Sequence, residues 1–151
     1  MKRNGFTLIE LLVAMSIVAI LAAISLSAYV GVSKRADRSE AYTNLEALKL
    51  LEDQFFADAG RYPNPSGITC AKDRPQNVGY IRQGGSTADS AEALPNFRPG
   101  AGGNFSYCIE NNIDFNGAAL VPCFRARAFG NSDTRVDGDT FAIDCDNERN
   151  F

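Results

Sequence analysis

Histidine and tryptophan are absent from the 151 residues, and methionine occurs only twice. Without histidine there is no Ser-His-Asp or Cys-His catalytic pair and no histidine-ligated zinc. A basic excess is also missing: 15 Lys and Arg stand against 18 Asp and Glu, a net charge of −3. That argues against a nucleic-acid binder, which needs a basic face to displace counterions from phosphates. Close cysteine pairs of the C-x-x-C kind are absent, which counts against a thiolate metal site. Charge itself is missing from Leu11 to Val32, and Glu10 is the one charged residue between Phe6 and Val32. The rest of the composition, 45% apolar and 22% charged, is that of an ordinary folded chain, long enough for one domain.

The uncharged run is the strongest signal. As a helix, its 22 residues extend roughly 33 Å, enough to cross a hydrocarbon core of ~30 Å. Lys2 and Arg3 precede it, and Ser25-Leu26-Ser27-Ala28 offers small residues for a secretory cleavage. A cleaved signal peptide and a plain signal anchor are therefore two readings. The apolar run is too long for the first. Glu10 fits neither, because a carboxylate inside a membrane segment costs about 2.5–3.5 kcal/mol on insertion scales and calls for a partner.

The residues Lys2-Arg3-Asn4-Gly5-Phe6-Thr7-Leu8-Ile9-Glu10-Leu11-Leu12-Val13 supply a third reading. A short basic leader, a Gly, then Phe-Thr-Leu-Ile-Glu-Leu and an apolar run resembles the start of type IV prepilins and type II secretion pseudopilins. The resemblance is closest over residues 1–30, extends to about Tyr62, and is architectural beyond. It implies that a prepilin peptidase and N-methyltransferase cuts between Gly5 and Phe6 and methylates Phe6. Removing 5 of the 151 residues leaves 146 and, with Lys2 and Arg3 gone, a charge of −5. The cut exposes an α-amine on Phe6 with a pKa of about 8. Staggered helices would then set Glu10 of one subunit beside the Phe6 amine of its neighbour. In apolar surroundings either charge alone is costly, so the pair also fixes register. The plainer alternative is a Glu10 that reaches the membrane face or pairs with its own N-terminus. Many relatives carry Gly and Pro in the second half of this helix; here Ala19 and Ser27 stand at the matching places, which predicts a less broken helix, with Gly31 as its weak point.

Beyond Val32 the chain turns polar, and Lys34, Arg35 and Arg38 mark a membrane boundary opposite Lys2 and Arg3. Positive charge at both ends leaves orientation to the resemblance, which keeps the leader cytoplasmic. Ala41, Leu45, Leu48, Leu51 or Glu52, Phe55 and Ala59 recur at helical steps, with Glu46, Lys49 and Asp53 mostly on the other face. Gly60 suits a C-terminal cap and Pro63 follows it. The sum is one helix of ~54 residues, roughly 80 Å long. Its aromatics, Phe6, Tyr29, Tyr42, Phe55, Phe56 and Tyr62, read as packing groups rather than electron conduits.

Residues 61–104 are rich in Gly, Pro, Asn and Ser and read as loop, with a short helix possible at Thr87–Leu94. Three strands follow: Asn104–Ile109, Cys123–Phe129 and Thr140–Cys145 alternate apolar and polar residues. Their apolar face needs a cover, which Leu45, Leu48 and Phe55 supply. The fold class implied is α+β, the pilin lollipop: one long N-terminal helix packed on a small antiparallel sheet of three to four strands. Its divisions are leader 1–5, polymerisation helix 6–32, amphipathic helix 33–60, αβ-loop 61–104 and sheet with C-terminal disulfide region 105–151.

Cys70, Cys108, Cys123 and Cys145 all lie after the membrane segment, in the part the resemblance puts outside the cytoplasm, which favours two disulfides. Three connectivities are possible. Turning the last two strands about Thr134 favours Cys123 with Cys145 and leaves Cys70 with Cys108; Cys108 with Cys123 is a rival. The acids Asp133, Asp137 and Asp139 are weak calcium candidates whose spacing does not match an EF-hand, and a solvated turn is the simpler reading.

No segment joins an acid, a base and a pocket, so no enzyme and no cofactor is expected. The resemblance implies a structural subunit of a type IV pilus, a helical homopolymer serving adhesion, twitching motility or DNA uptake. Its partners would be copies of itself, the prepilin peptidase, an inner-membrane platform protein, an assembly ATPase, an outer-membrane secretin and minor pilins. It would sit in the inner membrane before assembly and in an extracellular pilus afterwards. A type II secretion pseudopilin is the alternative, disfavoured by the cysteines and the long loop. A membrane-anchored or secreted binding module that never polymerises is the other.

Overall fold

The computed structural model describes residues 6–100 and 102–151, apart from the side chains of 26–28. The chain is α1 (Leu8–Ala59), α2 (Gln76–Gln83), a 3-10 turn (Ser90–Glu92), β1 (Phe105–Ile113), β2 (Ala119–Gly130) and β3 (Thr140–Asp144). It divides into two units, one ending at Ala36 and one covering Asp37–Phe151.

In the first unit α1 runs without interruption past Ala19 and Gly31. Apolar i, i+4 neighbours sustain it, and no proline falls inside it. Two of its hydroxyls are absorbed locally: Ser16 Oγ donates to the Val13 carbonyl and Ser25 Oγ to that of Leu21, at 2.7 and 2.8 Å. This is the arrangement expected where water is scarce. Its described apolar side chains stay exposed, from Phe6 to Val32.

The second unit has a conventional core. Ala41, Leu45, Leu48 and Glu52 of α1 are completely buried, at steps of four, three and four. Leu51 and Phe55 are half-buried, and Ala59 is exposed rather than part of the stripe. Gly60, at φ 71°, closes the helix with its N–H on the Phe56 carbonyl. Across from the stripe, Phe105, Tyr107 and Ile109 of β1, Phe124, Ala126 and Ala128 of β2, and Phe141 and Ile143 of β3 complete the core. The sheet is antiparallel in the order β1-β2-β3, with Ile109 opposite Ala126 and Ala126 opposite Ile143.

Two expectations need correction. The sheet does not have one dry face and one wet face, because Ser106, Cys108, Ala142 and Asp144 are buried as well. The chain before α2 covers part of that second face: Arg74 donates its N–H to Ser106 Oγ, and Cys70 bonds to Cys108. The C-terminal tail covers another part: Ala142 donates its N–H to Asn150 Oδ1. The helix of the loop region is α2, upstream of Thr87–Leu94, where only the 3-10 turn forms. Pro75 opens α2 with a preset φ of −62°, and Gly84 ends it at φ 84°. A side chain at Gly84 would run into the Asp89 carbonyl. Asn77 fastens α2 down, donating to the Thr69 and Tyr107 carbonyls at 2.9 Å each.

A candidate assembly site on the N-terminal helix

Gly5, one side of the expected cut, lies outside the described residues; Phe6 and Glu10 are within them. Phe6 is 83% exposed. Glu10 is fixed by the helix start itself. Its Oε2 accepts the Thr7 N–H at 2.9 Å and the Thr7 hydroxyl at 2.6 Å, and Thr7 Oγ1 accepts the Glu10 N–H at 3.4 Å. This is a capping box, in which each residue's side-chain oxygen accepts the other's orphan backbone N–H at the helix N-terminus. Thr7 was missed as a functional position, although Thr-x-x-Glu before an apolar run is a readable signature. Ile9, Val13, Ala14 and Ile17 share the face that carries Glu10. The carboxylate is thereby held in one place on an otherwise apolar surface, open to a second chain.

The four cysteines lie in the second unit. Cys70 is bonded to Cys108 and Cys123 to Cys145, each with Cα atoms 5.3 Å apart. The first bond ties the chain before α2 to β1, and the second ties β2 to the residue after β3. Among the described residues, one grouping has metal-like donors, Cys123, Asp144 and Cys145, and its sulfurs are spent in the disulfide. Asp133, Asp137 and Asp139 do not come together as a cation site. Asp139 receives both forks of Arg38 at 2.7 and 2.8 Å, and Asp137 pairs with Lys72 at 3.1 Å. With Asp37 bonded to Arg135, these contacts fasten the β2–β3 loop to the rest of the second unit.

Glu52 is the unforeseen residue. It is fully buried, neither carboxylate oxygen has a hydrogen-bond partner, and burial, then the nearby Asp53, pushes its pKa well up. The periodicity left that position open between Leu51 and Glu52; the fold puts the acid inside. Tyr107 is also buried, which raises its hydroxyl to about 12, while the hydrogen bond from Asn44 pulls the other way.

The family described as the prokaryotic N-terminal methylation motif matches residues 1–26. The type IV major pilin protein PilA of Myxococcus xanthus (strain DK1622) is 39% identical over 80 residues, 52% of this chain and 36% of that protein. PilE1 of Neisseria gonorrhoeae, also a type IV major pilin protein, is 41% identical over 68 residues, 44% of this chain and 32% of PilE1. The type II secretion system core protein G of Klebsiella pneumoniae is 31% identical over 93 residues, 54% of this chain and 66% of that protein. The chain thus spans about a third of the two pilins and nearly two thirds of the secretion protein. No solved structure matches it significantly. With the methylation motif at its start, and one long helix packed on a three-stranded antiparallel sheet, the chain belongs to the family of type IV pilins and the related secretion pseudopilins.

Proposed function

We propose that the protein is a structural, non-catalytic subunit of a type IV pilus. One observation carries the reading: a helix whose described apolar side chains before Ser33 find no cover among the described residues, with a single pre-positioned acid at its start. Cleavage between Gly5 and Phe6 creates a cation four residues from that acid. In a staggered bundle Glu10 of one subunit takes the methylated Phe6 amine of the next, and burial of the apolar surfaces, at about 25 cal/mol per Å², drives association. Before assembly the same surface resides in the inner membrane. The helix is long and apolar enough to cross a bilayer, with a mean hydropathy of 2.5 over its best window. Extraction then requires the peptidase, platform protein, ATPase and secretin of a pilus machine, with minor pilins. The finished filament serves adhesion, twitching motility or DNA uptake.

The test is an intact mass of protein sheared from the cell surface. The expected species begins at Phe6, heavier by one methyl and lighter by the four hydrogens of two disulfides. A species beginning at Ala28 would overturn the reading. The pseudopilin reading is favoured by one observation, the larger share of the Klebsiella protein that aligns. It predicts the Phe6 form confined to the cell envelope.

A further inference from the structure

From Asp37 onward the chain carries 11 basic and 17 acidic side chains. Among the described residues, eight of the 11 cations have an ion-pair partner: Arg38, Lys49, Arg61, Lys72, Arg125, Arg127, Arg135 and Arg149. Three have none: Arg74, Arg82 and Arg98. Two of these three line one surface groove. Arg82 and Arg98, with Gly79, Gln83 and Pro95, enclose about 290 Å³. A second hollow of about 540 Å³ shares Arg82, Gln83 and Pro95 and adds Ser90. No acid lines either part, on a unit rich in acids.

The complementary feature lies just past β3. Asp144 is buried, and its Oδ1 accepts the N–H groups of Asp146 and Glu148 at 3.0 and 2.8 Å. Its own N–H donates to the Glu148 carbonyl, and Cys145 is bonded to Cys123. The backbone of this turn is therefore fixed, while the Asp146 and Glu148 carboxylates are exposed and without a side-chain partner among the described residues. Asp58 and Asp133 are also exposed without an ion pair, but several of the remaining unpaired acids are buried or engaged. Glu52 is buried, Asp73 is bonded to Ser132, Asp89 caps the 3-10 turn, and Asp114 accepts the Ala118 N–H.

Groove and turn are separate patches built on different elements. The groove is built on α2, which packs on β1; the turn follows β3; the sheet runs β1-β2-β3. A donor patch and a different acceptor patch on each copy form a head-to-tail contact, which can propagate along a filament and does not close as a twofold dimer. We infer that the Asp146–Glu148 turn of one subunit seats in the Arg82–Arg98 groove of another copy of this chain. The contact rests on the filament reading and deepens it. It would set register between neighbouring globular units, beyond what the apolar helices alone specify.

The test uses the full chain in cells that display it. Arg82→Glu with Arg98→Glu, and separately Asp146→Arg with Glu148→Arg, should each lower sheared filament about 10-fold at unchanged cellular subunit level. Combining all four should restore it. A conservative variant guards against misfolding: Arg82→Lys with Arg98→Lys, treated with a zero-length carbodiimide, should yield a peptide joining position 82 or 98 to position 146 or 148 of another copy. Wild-type filament with normal yield from both reversed variants overturns the contact and leaves the filament reading intact. So does filament unaffected by the reversals while binding of an acidic polysaccharide (polygalacturonate) is lost, since the groove would then serve an external anion. Failure of the filament reading shows separately, as a wild-type chain that never starts at Phe6.

Discussion

The described Leu, Ile and Val side chains of α1 before Ser33 remain 53–79% exposed, whereas Leu45 and Leu48 of the same helix are completely buried. The residue types are alike and the backbone is one helix, so intrinsic propensity does not separate the two stretches. What separates them is the rest of the sequence. The second stretch alternates its apolar side chains with Glu46, Lys49 and Asp53, and the same chain supplies Phe124, Ala126 and Ile143 to cover its stripe. The first stretch has no polar face to leave in water, and on the proposed reading its cover comes from lipid or from other copies. One stretch uses its hydrophobicity in folding; the proposed filament would use that of the other in association.

The sharpest way to break this division is at Glu10. Removing one partner of a buried ion pair costs about 3–5 kcal/mol. Glu10→Ala should therefore cut sheared filament by roughly 100-fold or more while the thermal melt of the Asp37–Phe151 unit stays unchanged. Glu10→Gln keeps a capping box and loses only the charge, so assembly as poor as that of Glu10→Ala assigns the defect to the charge. Next comes a matched pair of truncations. Leu48→Ala should destabilise the globular unit by about 2–5 kcal/mol in denaturant melts, and Leu21→Ala should leave those melts alone and weaken assembly.

A smaller effect tests the core's one misfit. Burial holds the Glu52 carboxyl well above the pKa it has in the unfolded chain. Stability therefore falls as pH rises from the usual carboxylate range through the raised folded value. Glu52→Leu should remove that slope and gain about 1–3 kcal/mol at neutral pH, the usual penalty of an unsatisfied buried group. Melting temperatures measured from pH 4 to 9 would check both, and an unchanged slope would show that Glu52 is not the titrating group. Smallest is Thr7→Val, which removes one cap worth about 1 kcal/mol and should fray only the first turn of α1, seen as faster amide exchange near Leu8–Glu10.

Much of this was readable in advance, for physical reasons that differ by element. The long helix follows from uninterrupted apolar spacing, and the strands from period-two alternation around Phe105, Phe124 and Phe141. α2 was not readable because Gln76–Gln83 is polar and contains Gly79; it is held by the tertiary bonds of Asn77. β1 and β2 also run on to Ile113 and back from Ala119, beyond the alternating segments; the first four residues of β2, ending in Pro122, are all exposed and show no alternation to read. At the candidate site, Phe6 and Glu10 were legible from their motif, whereas the Thr7 cap depended on reading a short polar signature inside a hydrophobic run. Glu52 shows the opposite limit. Its spacing placed it inside and its chemistry placed it outside, and only the packed neighbours decide between them.

The distance along the chain between Ala41 and Phe141 also sets a clock. The two belong to one core, yet 100 residues separate them. At a synthesis rate of about 5–20 residues per second, the stripe of α1 waits about 5–20 s for its cover. Neither disulfide can close earlier than its later cysteine emerges, and Cys145 comes last. A first helix already seated in a bilayer through that interval would hold each nascent chain apart from its neighbours, so that the surface proposed to polymerise would double as a chaperone for the part that folds.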